Sequence, residues 1–324
     1  MNSKTIRVKI PASTANLGPG FDTIGMALDL YTWIEMSFSD ETKMKLFGDN
    51  LKGIPTDKSN LIYKVAQKVF HKAGVEQPNI EIRMYSDIPL TRGLGSSASA
   101  IVGALVAANA LIEYPFSDNE LFQMATSIEN HPDNAGASLF GGIIVANWDG
   151  ERAEYIRVEP NSHLEVLAVI PDFELATEKS RNVLPDQVLF KDAVFNVSHS
   201  SLLVAALCTG NLELIKHAMK DGLHQPHRAS LIPGMNTILA QAVQHGALGA
   251  ALSGAGPTLL ALVHKNSNEK KGLEQFVMNQ FKIENIKVKT LWLKPCLKGA
   301  QVVSDELSHP FHHQGTSFKG ELKS

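Results

Sequence analysis

The stretch RGLGSSASA combines two glycines with three serines directly before an apolar, alanine-rich run. Gly93 and Gly95 can adopt a positive φ and let another group approach the backbone closely. Ser96, Ser97 and Ser99 supply hydroxyls at the start of the predicted helix, where several backbone N–H groups have no partner within the helix. Such a helix start favours an anion, and phosphate is its usual occupant. The stretch therefore predicts a phosphate-binding loop, with a plain Gly-Ser turn as the alternative.

A second polar cluster is the segment ENHPDN, which follows a stretch with helical spacing. Asp133 and Asn134 are residue types that can hold a reacting hydroxyl group, and His131 lies beside them in sequence. A surface turn is the simpler interpretation, because Pro, Asp and Asn all favour turns. Taken alone, Glu129 indicates a solvated carboxylate at a helix end. The residues by themselves leave both interpretations open.

Two common nucleotide-binding motifs can be compared with the glycine loop. A P-loop requires Lys and then Ser or Thr after the last glycine, whereas two serines follow here. The dinucleotide fingerprint G-x-G-x-x-A is satisfied by Gly93, Gly95 and Ala98, but it needs an acidic residue at the end of the next strand. The chain offers Glu113, at a predicted helix end before a proline. An NAD-dependent oxidoreductase stays an alternative, which NAD and ATP binding would distinguish.

The elements that position these residues follow from periodicity and capping signals. Ile80, Ile82 and Met84 alternate with polar residues and predict a half-buried strand directly before the glycine loop. Strands and helices intermix without regular βαβα alternation, which predicts an α+β fold. The other predicted strands span 6–10, 32–38, 138–148, 163–170, 247–254, 257–265 and 286–294, with a loop at 11–25. The predicted helices span 59–74, 96–112, 117–130, about 175–208, 211–223, 234–246 and 269–281.

Length and composition limit the class of protein. A chain of 324 residues with 44% hydrophobic and 19% charged residues is typical of a globular protein with one large or two ordinary domains. We place the domains at 1–155 and 156–304, followed by a polar tail at 305–324. The net charge of −3 and the absence of a basic stripe exclude nucleic acid as the expected partner. We expect neither a secretory signal nor a membrane span, and the two unpaired cysteines favour a cytoplasmic protein.

Three blocks, in order, resemble the motifs of the GHMP kinases (galacto-, homoserine, mevalonate and phosphomevalonate kinases). They are KIPASTANLGPGFDTIGMALDLY, PLTRGLGSSASA and LSGAGPTLLALV, and together they extend over nearly the whole chain. Within this superfamily, ANLGPGFD, ENHPDNAGASLFGG and GAGPT most resemble the branch that phosphorylates L-homoserine on the way to threonine. The resemblance implies an N-terminal domain like domain 2 of ribosomal protein S5 and a ferredoxin-like C-terminal domain.

The resemblance also implies how ATP is bound. Backbone N–H groups of the glycine loop face the phosphates, and Ser97 and Glu129 hold Mg²⁺, which prefers hard oxygen ligands. Asn134 orients the substrate hydroxyl, while general-base catalysis by Asp133 is left open. The ATP loop comprises Pro89, Leu90, Thr91, Arg92, Gly93, Leu94, Gly95, Ser96, Ser97, Ala98 and Ser99.

Homoserine presents an ammonium, a carboxylate and a hydroxyl, and the resemblance implies a contact for each. Asp22 is the expected ammonium partner, and Arg181 and Arg228 are expected to grip the carboxylate, since a guanidinium binds carboxylates in a bidentate way. The other implied substrate contacts are Asn16, His131 and Thr177.

Two further alternatives remain besides the oxidoreductase. A GHMP kinase for another alcohol such as mevalonate would not need Asp22, because that substrate has no ammonium group. A nucleotide-binding scaffold with an inactive site would bind ATP without turnover. Homodimers are common in the superfamily, so a homodimer is possible, although no sequence feature requires one.

Overall fold

The computed structural model describes residues 4–304, so the predicted polar tail at 305–324 lies outside the described residues. The strands are β1 Thr5–Asn16, β2 Gly20–Phe38, β3 Lys43–Phe47, β4 Ile80–Ser86, β5 Ile143–Trp148, β6 Ala153–Val158, β7 Leu164–Pro171, β8 Gly249–Leu252, β9 Leu259–His264, β10 Val288–Leu293 and β11 Gln301–Val302. The α-helices are α1 Leu61–Lys72, α2 Ser96–Leu111, α3 Asp118–Glu129, α4 Asp133–Phe140, α5 Thr177–Arg181, α6 Phe190–Thr209, α7 Ile215–Ala218, α8 Gln225–Arg228, α9 Met235–Gln241 and α10 Lys270–Ile283.

The first sheet has the strand order β11-β1-β2-β4-β3, and β5 and β6 extend it from β2. All its pairings are antiparallel except that of β3 with β4. The helix that follows the glycine loop, α2, is buried along most of its length against β1 and β2. A Cβ on Gly103 would lie 2.6 Å from Ile34 Cδ1, so the absence of a side chain lets α2 approach the sheet. This packing fixes the start of α2 over the sheet.

The second sheet is antiparallel, with the order β10-β7-β9-β8. Its central strand β7 is buried on both faces, because Val166 and Ala168 belong to one apolar cluster and Leu167 and Val169 to another. A strand that is buried on both faces appears in the sequence as a continuous apolar run. The predicted α+β class is confirmed. No helix within residues 4–304 is long and apolar enough to cross a membrane.

The largest difference from the sequence prediction lies in the first hairpin. Residues 11–25 are predicted as a loop, but β1 continues to Asn16 and β2 begins at Gly20 and runs to Phe38. The small residues of PASTAN are buried and paired with β2, so they form strand despite their turn-like composition. Only the tight turn around Gly18 remains outside the strands.

Other predicted bounds also differ. The helix expected at about 175–208 is interrupted between Arg181 and Phe190, in a segment that contains Pro185, a residue that breaks helices. The helices expected at 211–223 and 234–246 reduce to α7 and α9, flanked by 3₁₀ turns, and β3 is not predicted at all. β6 extends to Val158, past the predicted domain boundary at 155, and residues 301–302 return to the first sheet.

Candidate active site

The glycine loop ends at a helix start with free donors. Gly95 caps α2 in the left-handed region, with φ 70°, and no side chain caps this end. Within residues 4–304, no hydrogen bond takes up the backbone N–H groups of Ser96, Ser97 or Ala98. Three unpaired donors at the positive end of a 16-residue helix form a site for an anion such as a phosphate.

Both glycines of the loop are required by close contacts. A Cβ on Gly93 would lie 2.2 Å from the carbonyl oxygen of Ser253, and one on Gly95 would lie 2.1 Å from Ser13 Oγ. Ser253 Oγ also donates a hydrogen bond to the Gly93 carbonyl at 2.5 Å. The glycine-rich turn SGAGPT therefore packs directly against the phosphate loop, and the loop shape depends on β1 as well.

The ENHPDN segment faces the start of α2. Ser97 Oγ donates to Glu129 Oε1 at 2.6 Å. His131 Nδ1 lies 2.7 Å from Asp133 Oδ1, and its Nε2 lies 3.7 Å from Glu129 Oε2. Burial of the ring lowers the pKa of His131, but the charge and hydrogen bond of Asp133 and the charge of Glu129 outweigh it and raise the pKa to about 9. The ring is therefore an imidazolium at neutral pH, between two carboxylates.

Asp133 and Asn134 differ in what they can offer to a substrate. Asp133 is buried, and its Oδ1 already faces His131 and accepts the backbone N–H of Asn134 at 2.6 Å. Asn134 Oδ1 accepts a hydrogen bond from Ser13 Oγ at 3.0 Å, which fixes the orientation of the amide. Its Nδ2 donates to no atom of residues 4–304, and the residue lines the cleft. Asn134 thus presents a fixed donor.

The start of β2 supplies an acidic group to the cleft that the phosphate loop lines. Asp22 binds Arg181 in a bidentate ion pair, with Nη2–Oδ1 and Nη1–Oδ2 distances of 2.8 and 2.9 Å. Asn16 holds the start of β2 in place, because its Oδ1 accepts the Asp22 backbone N–H and its Nδ2 donates to the Gly254 carbonyl. Asn16 and Asp22 both have a positive φ, which these two residue types tolerate better than most non-glycine residues.

Arg228 is a buried cation at the floor of the cleft, with 2% of its surface exposed. Its Nε donates to the Ser180 carbonyl at 3.0 Å and its Nη1 to the Gly254 carbonyl at 3.1 Å. Its Nη2 donates to no atom within residues 4–304. Burial and the nearby charge of Arg181 lower the pKa of Arg228 to about 10. A buried cation with an unpaired donor on a cleft is suited to bind an anionic group.

One cleft brings most of the predicted site residues together. Its lining includes all six predicted substrate residues and the three predicted catalytic residues, namely Asn16, Asp22, His131, Thr177, Arg181, Arg228, Glu129, Asp133 and Asn134. From the predicted ATP loop, the lining includes Thr91, Gly93, Gly95, Ser96, Ser97 and Ala98.

The remaining residues of the predicted ATP loop do not line this cleft. Leu94 is part of an apolar cluster, and Ser99 is buried, with its Oγ within hydrogen-bond distance of the Ser96 carbonyl and Thr32 Oγ1. Arg92 turns towards Glu174, 3.6 Å away. Pro89 and Leu90 form the approach to the loop without reaching the cleft. The side chains of Leu94 and Ser99 thus pack inside the protein and help to shape the loop.

Sequence reasoning missed several residues of the site. Ser13 lies in the predicted loop 11–25 and yet orients Asn134, and Phe21 is absent from the predicted site. The guanidinium carbons of Arg181 and Arg228 lie 5.5 and 5.2 Å from the Phe21 ring centroid, within cation–π range. An aromatic residue directly before the candidate acid Asp22 was the only signal available. Glu113, needed for dinucleotide binding, lies after the end of α2 and not at a strand end.

Comparison with known proteins defines the class. Residues 60–142 match the GHMP kinases N terminal domain and residues 203–281 match the GHMP kinases C terminal domain. With the fold and the cleft, these matches define the chain as a GHMP kinase. The homoserine kinase of Carboxydothermus hydrogenoformans is 41% identical over 294 residues, 90% of this chain and 95% of that protein. The chain belongs to the homoserine kinase family.

Further relatives agree with this placement. The homoserine kinase of Deinococcus radiodurans is 44% identical over 258 residues, 80% of this chain and 84% of that protein. The crystal structure of homoserine kinase from Cytophaga hutchinsonii superposes with a TM-score of 0.84 at 27% identity and covers 94% of this chain and 98% of that chain. Lactococcus lactis galactokinase, at 17% identity and a TM-score of 0.69, covers 93% of this chain and 95% of that chain and shows the shared fold alone.

Proposed function

We propose that this protein transfers the γ-phosphoryl group of ATP to the side-chain hydroxyl of L-homoserine, which gives O-phospho-L-homoserine for threonine synthesis. The observation that carries the proposal is the composition of one cleft. Unpaired N–H groups of a helix start line the same cleft as the charged side chains of Asp22, Arg181 and Arg228. The homoserine kinases to which the chain is similar carry the same activity in their names.

In this proposal the phosphates of ATP lie against the start of α2. Backbone donors of Ser96, Ser97 and Ala98 bind phosphate oxygens, and the positive end of the helix neutralises part of their charge. Phosphoryl transfer depends on such positioning and charge stabilisation more than on covalent chemistry by the protein. The fixed contacts of Gly93 and Gly95 keep these donors in place before ATP binds.

Ser97 and Glu129 are the residues that fit a magnesium ion. Their oxygen atoms lie 2.6 Å apart, and a hydroxyl plus a carboxylate is the kind of hard donor set that Mg²⁺ accepts alongside water and phosphate oxygens. When bound, the ion supplies charge neutralisation for the phosphates. The imidazolium of His131 holds the second oxygen of Glu129 in position, 3.7 Å from its Nε2.

Asn134 is the residue proposed to orient the substrate hydroxyl, through its unpaired Nδ2. The bond from Ser13 to its Oδ1 prevents the amide from rotating. Asp133 is less suited to act as a base, because its Oδ1 is already held by His131 and by a backbone N–H. We propose that orientation by Asn134, rather than a strong base, prepares the hydroxyl for transfer.

The zwitterionic end of homoserine is proposed to bind between Asp22 and the two arginines. Its ammonium replaces a guanidinium at Asp22, and its carboxylate binds Arg181 and the free Nη2 of Arg228. Each charge-assisted hydrogen bond of this kind contributes about 1.5–3 kcal/mol. Loss of one arginine should therefore raise the KM for homoserine by tens-fold and leave the KM for ATP nearly unchanged.

A coupled assay for ADP release tests the proposal on the purified chain. Homoserine, mevalonate and other small alcohols are supplied with ATP and Mg²⁺, and NAD binding is measured in parallel. Turnover of homoserine above all other acceptors is expected. Preferred turnover of mevalonate would assign another GHMP activity, and a rise in Tm with ATP but no turnover of any alcohol would indicate an inactive scaffold.

A further inference from the structure

A histidine that none of these proposed steps uses lies beneath the substrate end of the cleft. His224 is fully buried, directly before α8. Its Nε2 lies 2.8 Å from the carbonyl oxygen of Gly18, and its Nδ1 lies 3.2 Å from Arg228 Nη1. Its ring also stacks on Phe21, with 5.1 Å between the ring centroids. One side chain thus contacts the Asp22 turn and an arginine of the cleft floor.

The two partners fix the tautomer of this ring. A carbonyl oxygen only accepts, so Nε2 must carry the proton that it donates to Gly18. A guanidinium only donates, so Nδ1 must be unprotonated to accept from Arg228. Burial lowers the pKa of His224, and the charge of Arg228 acts in the same direction, whereas Asp221 opposes it. The neutral Nε2–H form is therefore the one that fits the site.

The bond to His224 completes the fixation of the Arg228 guanidinium. Nε is held by the Ser180 carbonyl, and Nη1 is shared between the Gly254 carbonyl and His224 Nδ1. These three acceptors restrict rotation of the planar guanidinium group of Arg228. Nη2 is then the donor left for a ligand.

The bond to Gly18 fixes the other side of the same site. The turn 16–22 carries Asn16 and Asp22, and its carbonyls are held from the opposite domain. His224 Nε2 donates to the Gly18 carbonyl, and Asn196 Nδ2 donates to the next carbonyl, that of Pro19, at 2.7 Å. His224 thus joins this turn to Arg228, in addition to the Gly254 carbonyl that Asn16 and Arg228 share.

We propose that His224, as a neutral Nε2–H imidazole, is a positioning residue for substrate affinity: its Nδ1 holds the Arg228 guanidinium so that Nη2 faces the carboxylate of an amino-acid substrate, and its bond to Gly18 sets the tautomer that leaves Nδ1 able to accept. This inference rests on the proposed function for the identity of that substrate. It assigns His224 an effect on homoserine binding and none on ATP.

Two substitutions test the two hydrogen bonds of His224 separately. In His224→Asn the amide oxygen can replace Nδ1 as acceptor for Arg228, whereas in His224→Gln the amide nitrogen can replace Nε2 as donor to Gly18. His224→Leu removes both bonds. His227→Asn is the matched control, because His227 lies in the adjoining helix α8 and its ring makes no hydrogen bond within residues 4–304. Melting and gel filtration establish which variants are folded.

Steady-state kinetics with homoserine and ATP then distinguish positioning from general packing. We expect His224→Gln and His224→Leu to raise the KM for homoserine about tenfold, the loss of one hydrogen bond to a charged group. His224→Asn should stay within about threefold of the parent, and kcat and the KM for ATP should change less than about twofold in all folded variants. The proposal would be overturned if all three substitutions of His224 raised the KM for homoserine equally. It would also be overturned if they changed kcat or the KM for ATP instead.

A second measurement is independent of the substrate. Long-range ¹H–¹⁵N NMR of the ligand-free protein reports the tautomer of each histidine, and the His224 signals are assigned by their loss in His224→Asn. A protonated Nε2 with a bare Nδ1 supports the proposal, whereas a protonated Nδ1 contradicts it. If the parent protein does not phosphorylate homoserine, the proposed function fails, and the NMR result still decides whether His224 accepts from Arg228.

Discussion

Asp22 and Arg181 bind each other in a bidentate ion pair across the mouth of the cleft, with oxygen–nitrogen distances of 2.8 and 2.9 Å. Each of these groups is proposed to bind one end of a zwitterionic substrate. The substrate must then exchange one ion pair for two, its ammonium at Asp22 and its carboxylate at Arg181. A ligand with only one of the two charges would leave a partner unpaired, which is costly because both side chains are half-buried.

The ion pair between Asp22 and Arg181 predicts that Asp22 makes the enzyme prefer homoserine to acceptors that lack an ammonium group. For Asp22→Asn, the ratio of kcat/KM for homoserine to kcat/KM for 4-hydroxybutanoate should fall about tenfold or more, because the amide no longer favours a cation. Assays with both acceptors measure the ratio directly. Glu178→Gln is the control, an acid-to-amide change at an exposed position of the same helix as Arg181. An unchanged ratio in Asp22→Asn would contradict the exchange.

A second prediction concerns magnesium. Glu129→Gln keeps the size of the side chain but removes the charge that faces Ser97. We expect the Mg²⁺ concentration for half-maximal activity to rise about tenfold or more, with a lower kcat, since carboxylate charge is what attracts this hard cation. A titration of the rate with Mg²⁺ at fixed ATP measures this. Glu113→Gln, exposed beyond the end of α2, should match the parent protein, and an unshifted Mg²⁺ curve in Glu129→Gln would exclude Glu129 as a ligand.

A third prediction separates the close contact at Gly93 in the phosphate loop from the strain that a side chain causes at any glycine with a positive φ. Gly93 and Gly74 have nearly the same positive φ, 77° and 73°, but an added Cβ would meet the Ser253 carbonyl at 2.2 Å in the first case and nothing within 4 Å in the second. Gly74→Ala should cost about 1 kcal/mol of unfolding free energy, the left-handed strain alone. Gly93→Ala should cost about 3 kcal/mol or more and weaken ATP binding at least tenfold.

Denaturant unfolding and ATP titration measure both quantities for the two variants. Equal losses of stability in Gly93→Ala and Gly74→Ala would mean that the contact between the phosphate loop and SGAGPT does not restrict the loop.

The glycine loop and the polar ENHPDN segment stand out in the sequence because both lie at element ends, but only the resemblance to the GHMP kinases joins them in one site. The structure places Ser97 and Glu129 in direct contact. The loop predicted for PASTANLGPGFDTIG is wrong, because most of this segment forms strand. Its small, polar residues have low intrinsic strand preference, and only pairing with β2 and burial, both long-range effects, make Ser13 a strand residue.

The roles of His224 and Asn196 could not be predicted from the sequence for a similar reason. Both bind carbonyls of the Gly18 turn from about two hundred residues away in the chain, as shown by separations of 206 and 177 residues. No local pattern distinguishes such a histidine from one in an ordinary apolar core. By contrast, Arg181 and Arg228 were found only because a family resemblance pointed to them, not because of their spacing.

The buried neutral state of His224 predicts a specific pH dependence of stability. Burial, together with the Arg228 charge, places its folded pKa below the ordinary value of about 6.5 despite the opposing charges of Asp221 and Asp22. The unfolded chain therefore binds more protons than the folded one as the pH falls below about 6.5, so this group reduces stability in acid and has no such effect at pH 7.5. Measured as the free energy of unfolding at pH 7.5, 6.5 and 5.5, the advantage of the parent over His224→Asn should shrink steadily towards pH 5.5. His227→Asn, at the neighbouring histidine in α8, is the control and should not show this dependence of stability on pH. A parent advantage that stays constant or grows in acid would mean that His224 is not held in the neutral form by burial and the charge of Arg228.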